Sequence, residues 1–217
     1  MYSFLKKSGR LVIAIAVSLQ LYSCKNKAAD DKTALNKADT GMSLTGNPYQ
    51  SIDQSPMDIA YCPAEFPQKK MKGIVSGNPV ARIIYSRPHK KGRVIFSDDP
   101  KSLCHYGSPW RLGANESTEI EFFQPVMIGG RNVDAGRYIL YCIPHADKWE
   151  IIFNTNLDSW GLQIEPAKDV FKTEVPVQLQ SPVLEDFTIQ FQEVVDGAEL
   201  LIAWDNVKVL MPVTFSK

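Results

Sequence analysis

The 217-residue sequence lacks the features that mark a transmembrane protein or a nucleic-acid binder. Its main apolar run, residues 11–21, is shorter than the roughly 20 residues that a membrane-spanning helix needs. Basic and acidic residues balance at 24 each, so there is no basic surplus for binding nucleic acid. We therefore expect neither a transmembrane helix nor a nucleic-acid partner.

Histidine is scarce, at three residues, and the spacings typical of metal sites and covalent catalysis are missing. There is no HxH, HExxH or CxxC pattern. Cys104 and His105 are adjacent, so their side chains would point to opposite faces of a strand. GxSxG and SxxK are also absent. The sequence predicts no metal and no cofactor, and it favours a binding role over an enzyme.

The N-terminal segment has the features of an export signal. Three basic residues and no acid stand in the first ten positions, ahead of the apolar run. The run ends in LYSC at residues 21–24, which resembles a bacterial lipobox, although Tyr22 is bulkier than the usual residue there. This pattern predicts a signal peptide over residues 1–23 and an acylated, palmitate-bearing Cys24 that anchors the chain in a membrane. The alternative is an ordinary secretory signal in which the cysteine is present by chance.

The segment after the predicted cleavage site has the composition of a linker. Residues 24–54 are rich in Lys, Ala, Asp, Asn, Thr and Gly, which predicts a flexible tether. Removing residues 1–23 takes away three of the 24 basic residues and no acid, which leaves 21 basic against 24 acidic residues, a formal charge of −3. Lys25 and Asn26 differ from the aspartate that favours inner-membrane retention. We therefore expect an envelope protein anchored in the outer membrane.

Three cysteines follow Cys24, and an odd number cannot all pair. One disulfide plus a free thiol would suit an oxidising compartment, and the sequence leaves the pair open. Each of Cys62, Cys104 and Cys142 lies among apolar or aromatic neighbours, so buried thiols are the simpler interpretation. The oligomeric state is also left open by the sequence.

Residues 81–215 contain many short strand-like runs and no amphipathic helix of convincing length. Gly129-Gly130, Asp196-Gly197 and Asp205-Asn206 predict turns. We predict an all-β fold over residues 55–217: a single β-sandwich or partly closed antiparallel barrel, with an irregular lead-in over 55–73 and a short helix within 158–168. The predicted strands are 81–86, 93–96, 118–123, 126–128, 132–133, 137–143, 149–153, 172–179, 187–192, 199–204 and 207–215.

Several sequence stretches resemble a known family. They are RIIYSRPHKKGRVIF, YGSPWRLGANESTEIEFF, GRYILYCIP, FNTNLDSWG and WDNVKVLMPV. Together they resemble the domain-of-unknown-function family 2911, which the resemblance places in envelope lipoproteins and secreted proteins of bacteria. The likeness runs from about residue 55 to the C-terminus, and it implies a domain type and a cellular setting without a reaction. Cys62 and the Cys104-His105 pair depart from the family pattern.

The WRLGANE stretch, residues 110–116, is the best candidate for a binding loop. An arginine can form two parallel hydrogen bonds to a carboxylate or phosphate, an asparagine and a glutamate can hydrogen-bond to hydroxyls or amides, and a tryptophan can stack on a ring. We predict that Trp110, Arg111, Asn115 and Glu116 contact a ligand. The alternative is a purely architectural loop, with the tryptophan in the core and the polar groups on backbone carbonyls.

A basic cluster precedes this loop. Arg87 stands beside Pro88 at a strand end, and Lys90, Lys91 and Arg93 follow. If the cluster folds near Arg111, the site would favour a polar or anionic envelope ligand, so Arg87 joins the predicted site. The alternative is a solvated basic turn.

Two other functional classes stay open. Glu116, with a second carboxylate such as Glu119 or Glu121, would suit a hydrolase of glycan or peptide material, although a solvated strand face explains the two strand glutamates more simply. A structural scaffold is the third possibility. Of the remaining tryptophans, Trp149, Trp160 and Trp204, most should enter the core, while one could line a glycan-binding groove.

Overall fold

The computed structural model describes residues 53–215. The predicted signal peptide, Cys24 and nearly all of the predicted tether lie outside the described residues. Within them are one α-helix, α1 (Phe66–Met71), a 3-10 helix (Pro166–Lys168), and strands β1 (Met57–Cys62), β2 (Ala81–Ser86), β3 (Phe96–Ser97), β4 (Cys104–His105), β5 (Thr118–Phe122), β6 (Val126–Ile128), β7 (Arg131–Val133), β8 (Gly136–Pro144), β9 (Lys148–Asn154), β10 (Asp169–Pro176), β11 (Gln178–Val194) and β12 (Gly197–Phe215).

The strands form two antiparallel sheets. A six-stranded sheet has the order β1-β2-β5-β8-β9-β10, and a four-stranded sheet has the order β11-β12-β6-β7. Strands β3 and β4 make a small parallel pair. Buried side chains of both large sheets share one hydrophobic core, as the edge-on contact of Tyr85 with Phe187 illustrates. The all-β prediction is confirmed, and the architecture is a sandwich rather than a closed barrel.

The alternation of apolar and polar residues determines which face of a strand is buried, as β5 shows. In β5, Thr118, Ile120 and Phe122 are buried, while Glu119 and Glu121 point outward. The outward glutamates pair with arginines across the sheet: Glu121 with Arg82, and Glu119 with Arg137. Apolar residues with period 2 therefore fix the buried face, and charges occupy the other.

Several local predictions are wrong, among them the strand at 93–96, of which only Phe96 lies in a strand. Asp205-Asn206 is not a hairpin turn, because β12 continues through both residues. Asp205 instead has a left-handed φ of 57°, and the pairing of β11 with β12 shifts register there, so the turn-like dipeptide marks a bulge. The lead-in is also more regular than predicted, because its first part is β1, paired with β2 from Met57–Ser86 to Cys62–Ala81.

An aromatic cluster fills one end of the core. Trp110 packs against Phe96, Trp149, Phe187 and Trp204, with ring centroids 5.0–5.9 Å apart.

The three cysteines among residues 53–215 are buried and form no disulfide: Cys62, Cys104 and Cys142. Within residues 53–215, no helix has the length and apolar character needed to cross a bilayer.

Candidate functional site

The loop that contains residues 110–116 is hydrogen-bonded to strands β8 and β5. Trp110 exchanges two backbone hydrogen bonds with Cys142 of β8, with N···O distances of 2.7 and 2.9 Å. The Thr118 hydroxyl donates to the Leu112 carbonyl at 2.5 Å, and Leu112 and Asn115 take left-handed φ angles of 53° and 57°. These contacts form a sharp turn and fix the backbone position of Arg111.

A second segment, residues 159–161, is fastened along this loop. The Ser117 amide donates to the Ser159 carbonyl at 3.2 Å, and the Gly161 amide donates to the Asn115 carbonyl at 3.1 Å. A Cβ on Gly161 would lie 2.1 Å from Cδ of Arg111, so only glycine lets the two segments approach this closely. The backbone of Gly161 thus forms one wall beside the Arg111 side chain.

Arg111 points into a cavity of about 710 Å³. This volume lies in the range of small-molecule sites, which is about 300–1,000 Å³. The walls combine apolar side chains with hydroxyls and cationic groups. The lining residues include Ser55, Arg93, Leu103, Cys104, His105, Ser108, Trp110, Arg111, Gly161, Leu162 and Ile164.

Arg111 has no partner for its charge within the described part of the chain. Its Nε is buried and makes no hydrogen bond, and the guanidinium forms no ion pair with residues 53–215. Burial lowers the pKa of Arg111, and the neighbouring Cys104 acts in the opposite direction. Buried N–H donors almost always have an acceptor, so the unpaired Nε–H on this cavity wall is available to an acceptor from outside the fold.

The cavity is positive in character. Arg93 and Arg111 lie on its walls, as do His105 and three serines, and its lining contains no aspartate or glutamate. Arg93 donates from Nε to the Lys90 carbonyl at 3.0 Å and from Nη2 to the His89 carbonyl, which anchors it at the rim. The nitrogens of the His105 ring contact the carbonyls of Tyr106 and Asp98 at 2.8 and 3.0 Å. Such a lining suits an anion.

The model of a protein family described as "Protein of unknown function (DUF2911)" matches residues 67–213. The chain belongs to this family. Comparisons with curated proteins and with solved structures give no match. The family span contains the 110–116 loop, Arg93 and Gly161, while Cys62 and the whole of β1 precede it. The cavity walls in this DUF2911 member therefore come almost entirely from the family domain, with Ser55 as an addition from the lead-in.

The five predicted site residues of this DUF2911 domain do not share one cavity. Trp110 and Arg111 line the 710 Å³ cavity, and Trp110 is 8% exposed because most of its ring lies in the core. Arg87 lies elsewhere: it donates to Asp58 at 3.2 Å and to the Phe187 carbonyl at 3.2 Å, and so links β1 to β11. Asn115 donates to Asp53 at 2.5 Å, and Glu116 is exposed beside a separate groove.

Lys90 and Lys91 of the predicted basic cluster are bonded to nearby protein groups. Lys90 donates to the Arg93 carbonyl at 2.9 Å and pairs with Asp205 at 3.3 Å. The Lys91 amide donates to Glu185, and its ammonium donates to Gln54. Arg93 is the member of this cluster that lines the cavity, whereas Arg87, the residue predicted for the site, does not.

Sequence reasoning missed the walls that come from distant segments. His105, Gly161, Leu162 and Ile164 line the cavity with Arg111, yet nothing in their local sequence indicates it. Among residues 53–215, no three His, Cys, Asp or Glu side chains are arranged to hold a metal ion. The histidines are separately engaged: His89 with Asp186, His105 with carbonyls, and His145 near Glu150.

Proposed function

We propose that this protein is a lipid-anchored envelope protein whose β-sandwich domain binds a small organic anion in the Arg111 cavity. The observation that supports this most is the buried Nε of Arg111, which lacks an acceptor among residues 53–215. A buried unpaired donor costs about 1–3 kcal/mol. An anionic ligand would remove that cost by accepting from this donor.

Charge and shape define the class of ligand. A guanidinium prefers the two oxygens of a carboxylate or phosphate, because both can accept in parallel. The nearby Arg93 adds a second positive charge, and no lining carboxylate opposes it. Leu103, Leu162 and Ile164 give the same cavity an apolar side. These features fit an organic carboxylate or phosphate with an apolar part better than a small inorganic ion.

The anchoring part of the proposal depends on the N-terminal sequence. Residues 21–24 resemble a lipobox, and the family resemblance suggests an envelope setting. Acylation of Cys24 would hold the domain at a membrane, with residues 25–54 as the connection. The outer membrane is the membrane that we propose, because an inner-membrane retention signal is absent after Cys24.

The hydrolase and scaffold alternatives stay predictions. Glu116, the carboxylate first considered for acid–base work, is exposed at the surface. Both oxygens of Glu119 accept hydrogen bonds from Arg137, at 2.8 and 2.6 Å, which is the usual arrangement of a surface ion pair. The Arg111 cavity gives the binding role a specific feature in its favour.

The test is a titration of the purified full-length protein with three probes: benzoate, glucuronate and inorganic phosphate. At least one organic anion should bind, and Arg111→Gln should weaken it at least tenfold, because a charge-assisted bond contributes roughly 1.5–3 kcal/mol. Arg131→Gln is the matched control, since Arg131 lies in β7 and does not line the cavity. Equal affinity in both variants, or no binding by any probe, would contradict the proposal.

A further inference from the structure

A second groove is lined in part by the paired segments 115–117 and 159–161. Its volume is about 510 Å³. The groove has an aromatic side chain, a set of charged groups and a few apolar residues. It is lined by Met57, Ile84, Glu116, Ser117, Glu119, Arg137, Ile139, Asp158, Ser159 and Trp160.

Trp160 differs from the other tryptophans in its exposure. Trp149 and Trp204 are buried, at 1% and 0%, and Trp110 is 8% exposed, whereas 48% of Trp160 is exposed. Its indole N–H has no acceptor among residues 53–215. Leaving about half of an indole in water forgoes the burial that usually stabilises a tryptophan, and tryptophan is enriched at binding interfaces.

The backbone holds Trp160 in a fixed position. Trp160 forms a β-bridge with Glu116, and each neighbour is bonded to the same loop: Ser159 accepts from Ser117, and Gly161 donates to Asn115. The hydroxyls of Ser117 and Ser159 also lie 3.0 Å apart. The backbone of Trp160 is therefore held in place without a ligand, which lowers the entropy that binding must overcome.

Polar groups in a pre-arranged network accompany the ring. Arg137 donates to both oxygens of Glu119, at 2.8 and 2.6 Å, and to Asp158 at 3.1 Å. These bonds orient the three side chains while leaving acceptor lone pairs on the carboxylates. Glu116 has no hydrogen-bond or ion-pair partner in residues 53–215. The groove therefore offers several acceptors and one guanidinium around an exposed ring.

We infer that this groove binds a neutral sugar ring, which stacks on Trp160 and donates its hydroxyls to Glu116 and the Arg137 network. A pyranose has an apolar C–H face for the indole and peripheral hydroxyls for carboxylates and a guanidinium. An anion is disfavoured, because the groove holds three carboxylates against one arginine. The inference is independent of the Arg111 cavity, since the two sites share no lining residue.

The test uses the full-length protein and chitotriose and cellotriose as neutral probes, with the indole N–H resonances followed by NMR. One trisaccharide should shift the Trp160 indole signal in a saturable way, while the buried indoles stay unchanged. In calorimetric titration, which needs no indole signal, Trp160→Ala should weaken binding about tenfold, the equivalent of 1.4 kcal/mol, which lies within the range of aromatic stacking. Trp160→Phe should lose less, because a phenyl ring still offers a stacking face.

Val170→Ala is the matched control, because Val170 is an exposed apolar residue outside the groove. It should bind the sugar as the unaltered protein does, and the thermal unfolding of Trp160→Ala should stay cooperative. The inference is overturned if neither trisaccharide binds, if Trp160→Ala binds as tightly as the control, or if glucuronate or tetramethylammonium shifts the Trp160 signal in preference to the neutral sugars.

Discussion

Gly161 packs directly against the side chain of Arg111. A Cβ at Gly161 would lie 2.1 Å from Cδ and 3.0 Å from Cβ of Arg111, and 3.0 Å from the Asn115 carbonyl oxygen. Arg111 can therefore lie against this wall of the cavity only because residue 161 has no side chain. This close approach joins two loops that are about 50 residues apart in the sequence, and it leads to the first prediction.

Gly161→Ala should displace Arg111 and reduce anion binding about tenfold, with a loss in the free energy of unfolding of about 1–3 kcal/mol from overpacking. Chemical denaturation and titration with benzoate measure the two effects. In an Arg111→Ala background, which lacks Cδ, the same change should destabilise less. An equal loss in both backgrounds would show that the Gly161–Arg111 contact does not set the position of the arginine.

Trp110→Ala should lower the free energy of unfolding by about 3–5 kcal/mol, because the ring fills the core between Trp149, Phe187 and Trp204. Trp110→Phe should lose considerably less, since a phenyl ring keeps part of the edge-on packing. Urea denaturation measures both values. A loss below about 1 kcal/mol for alanine would contradict the core position of this side chain.

Alkaline pH should destabilise the fold through buried thiols and phenols, among them Cys62 and Tyr85. Burial raises the pKa of Cys62 from 9.0 to about 12, and burial also raises the pKa of Tyr85 from 10.0 to about 12. The unfolded chain loses these protons first, so the stabilisation is complete below pH 9 and is lost as pH rises toward 12. The slope should be about 1 kcal/mol per pH unit for each group.

Denaturation curves at pH 8, 9, 10 and 11 would measure this slope. Cys62→Ala should make the decline shallower from pH 9, and Tyr85→Phe should do so from pH 10. A free energy of unfolding that stays constant over this range would contradict the burial of both groups.

Arg87→Ala should lower the free energy of unfolding by about 1 kcal/mol, because the half-exposed pair with Asp58 and the bond to the Phe187 carbonyl are lost. It should leave anion binding unchanged, since Arg87 does not line the Arg111 cavity. Titration with benzoate decides this point. A tenfold loss of affinity would instead support the original placement of Arg87 in the binding site.

The sequence predicts strands well where one face is buried. Residues 81–86 and 118–123 become β2 and β5 almost to the residue, because the first is an apolar run that stops before Pro88 and the second alternates apolar with polar residues. The turn predicted at Asp205-Asn206 was wrong, since a dipeptide that favours a left-handed φ suits a bulge as well as a turn. β1 was missed because its stability comes from pairing with β2, which no local pattern in residues 57–62 reveals.

The site could be predicted only in part, for the same reason. Arg111 was predicted to bind because an arginine in a tight loop has a clear chemistry for anions, and the structure places it on a cavity wall. Whether Arg87 or Arg93 accompanies it depends on how the intervening turn folds, and the turn places Arg93 at the cavity. The contribution of Gly161 comes from long-range packing between loops, so composition and spacing did not indicate it.

Cys24 is predicted to be acylated, because residues 21–24 resemble a lipobox. Metabolic labelling with a palmitate analogue in a bacterial host should label the protein, and Cys24→Ala should abolish the label and release the domain from membranes. Cys62→Ala, which leaves the lipobox intact, should be labelled normally. Labelling of Cys24→Ala would contradict the proposed anchor.

The most direct test of the anion-binding proposal is to observe the Nε–H group of Arg111 by ¹H–¹⁵N NMR during titration with benzoate and phosphate. The account predicts that the Arg111 Nε–H signal, assigned by its loss in Arg111→Lys, shifts in a saturable way as an acceptor reaches the buried nitrogen. The Arg131 signal should remain unchanged. If the Arg111 signal stays constant while either anion binds elsewhere on the protein, the cavity around Arg111 is not the anion site.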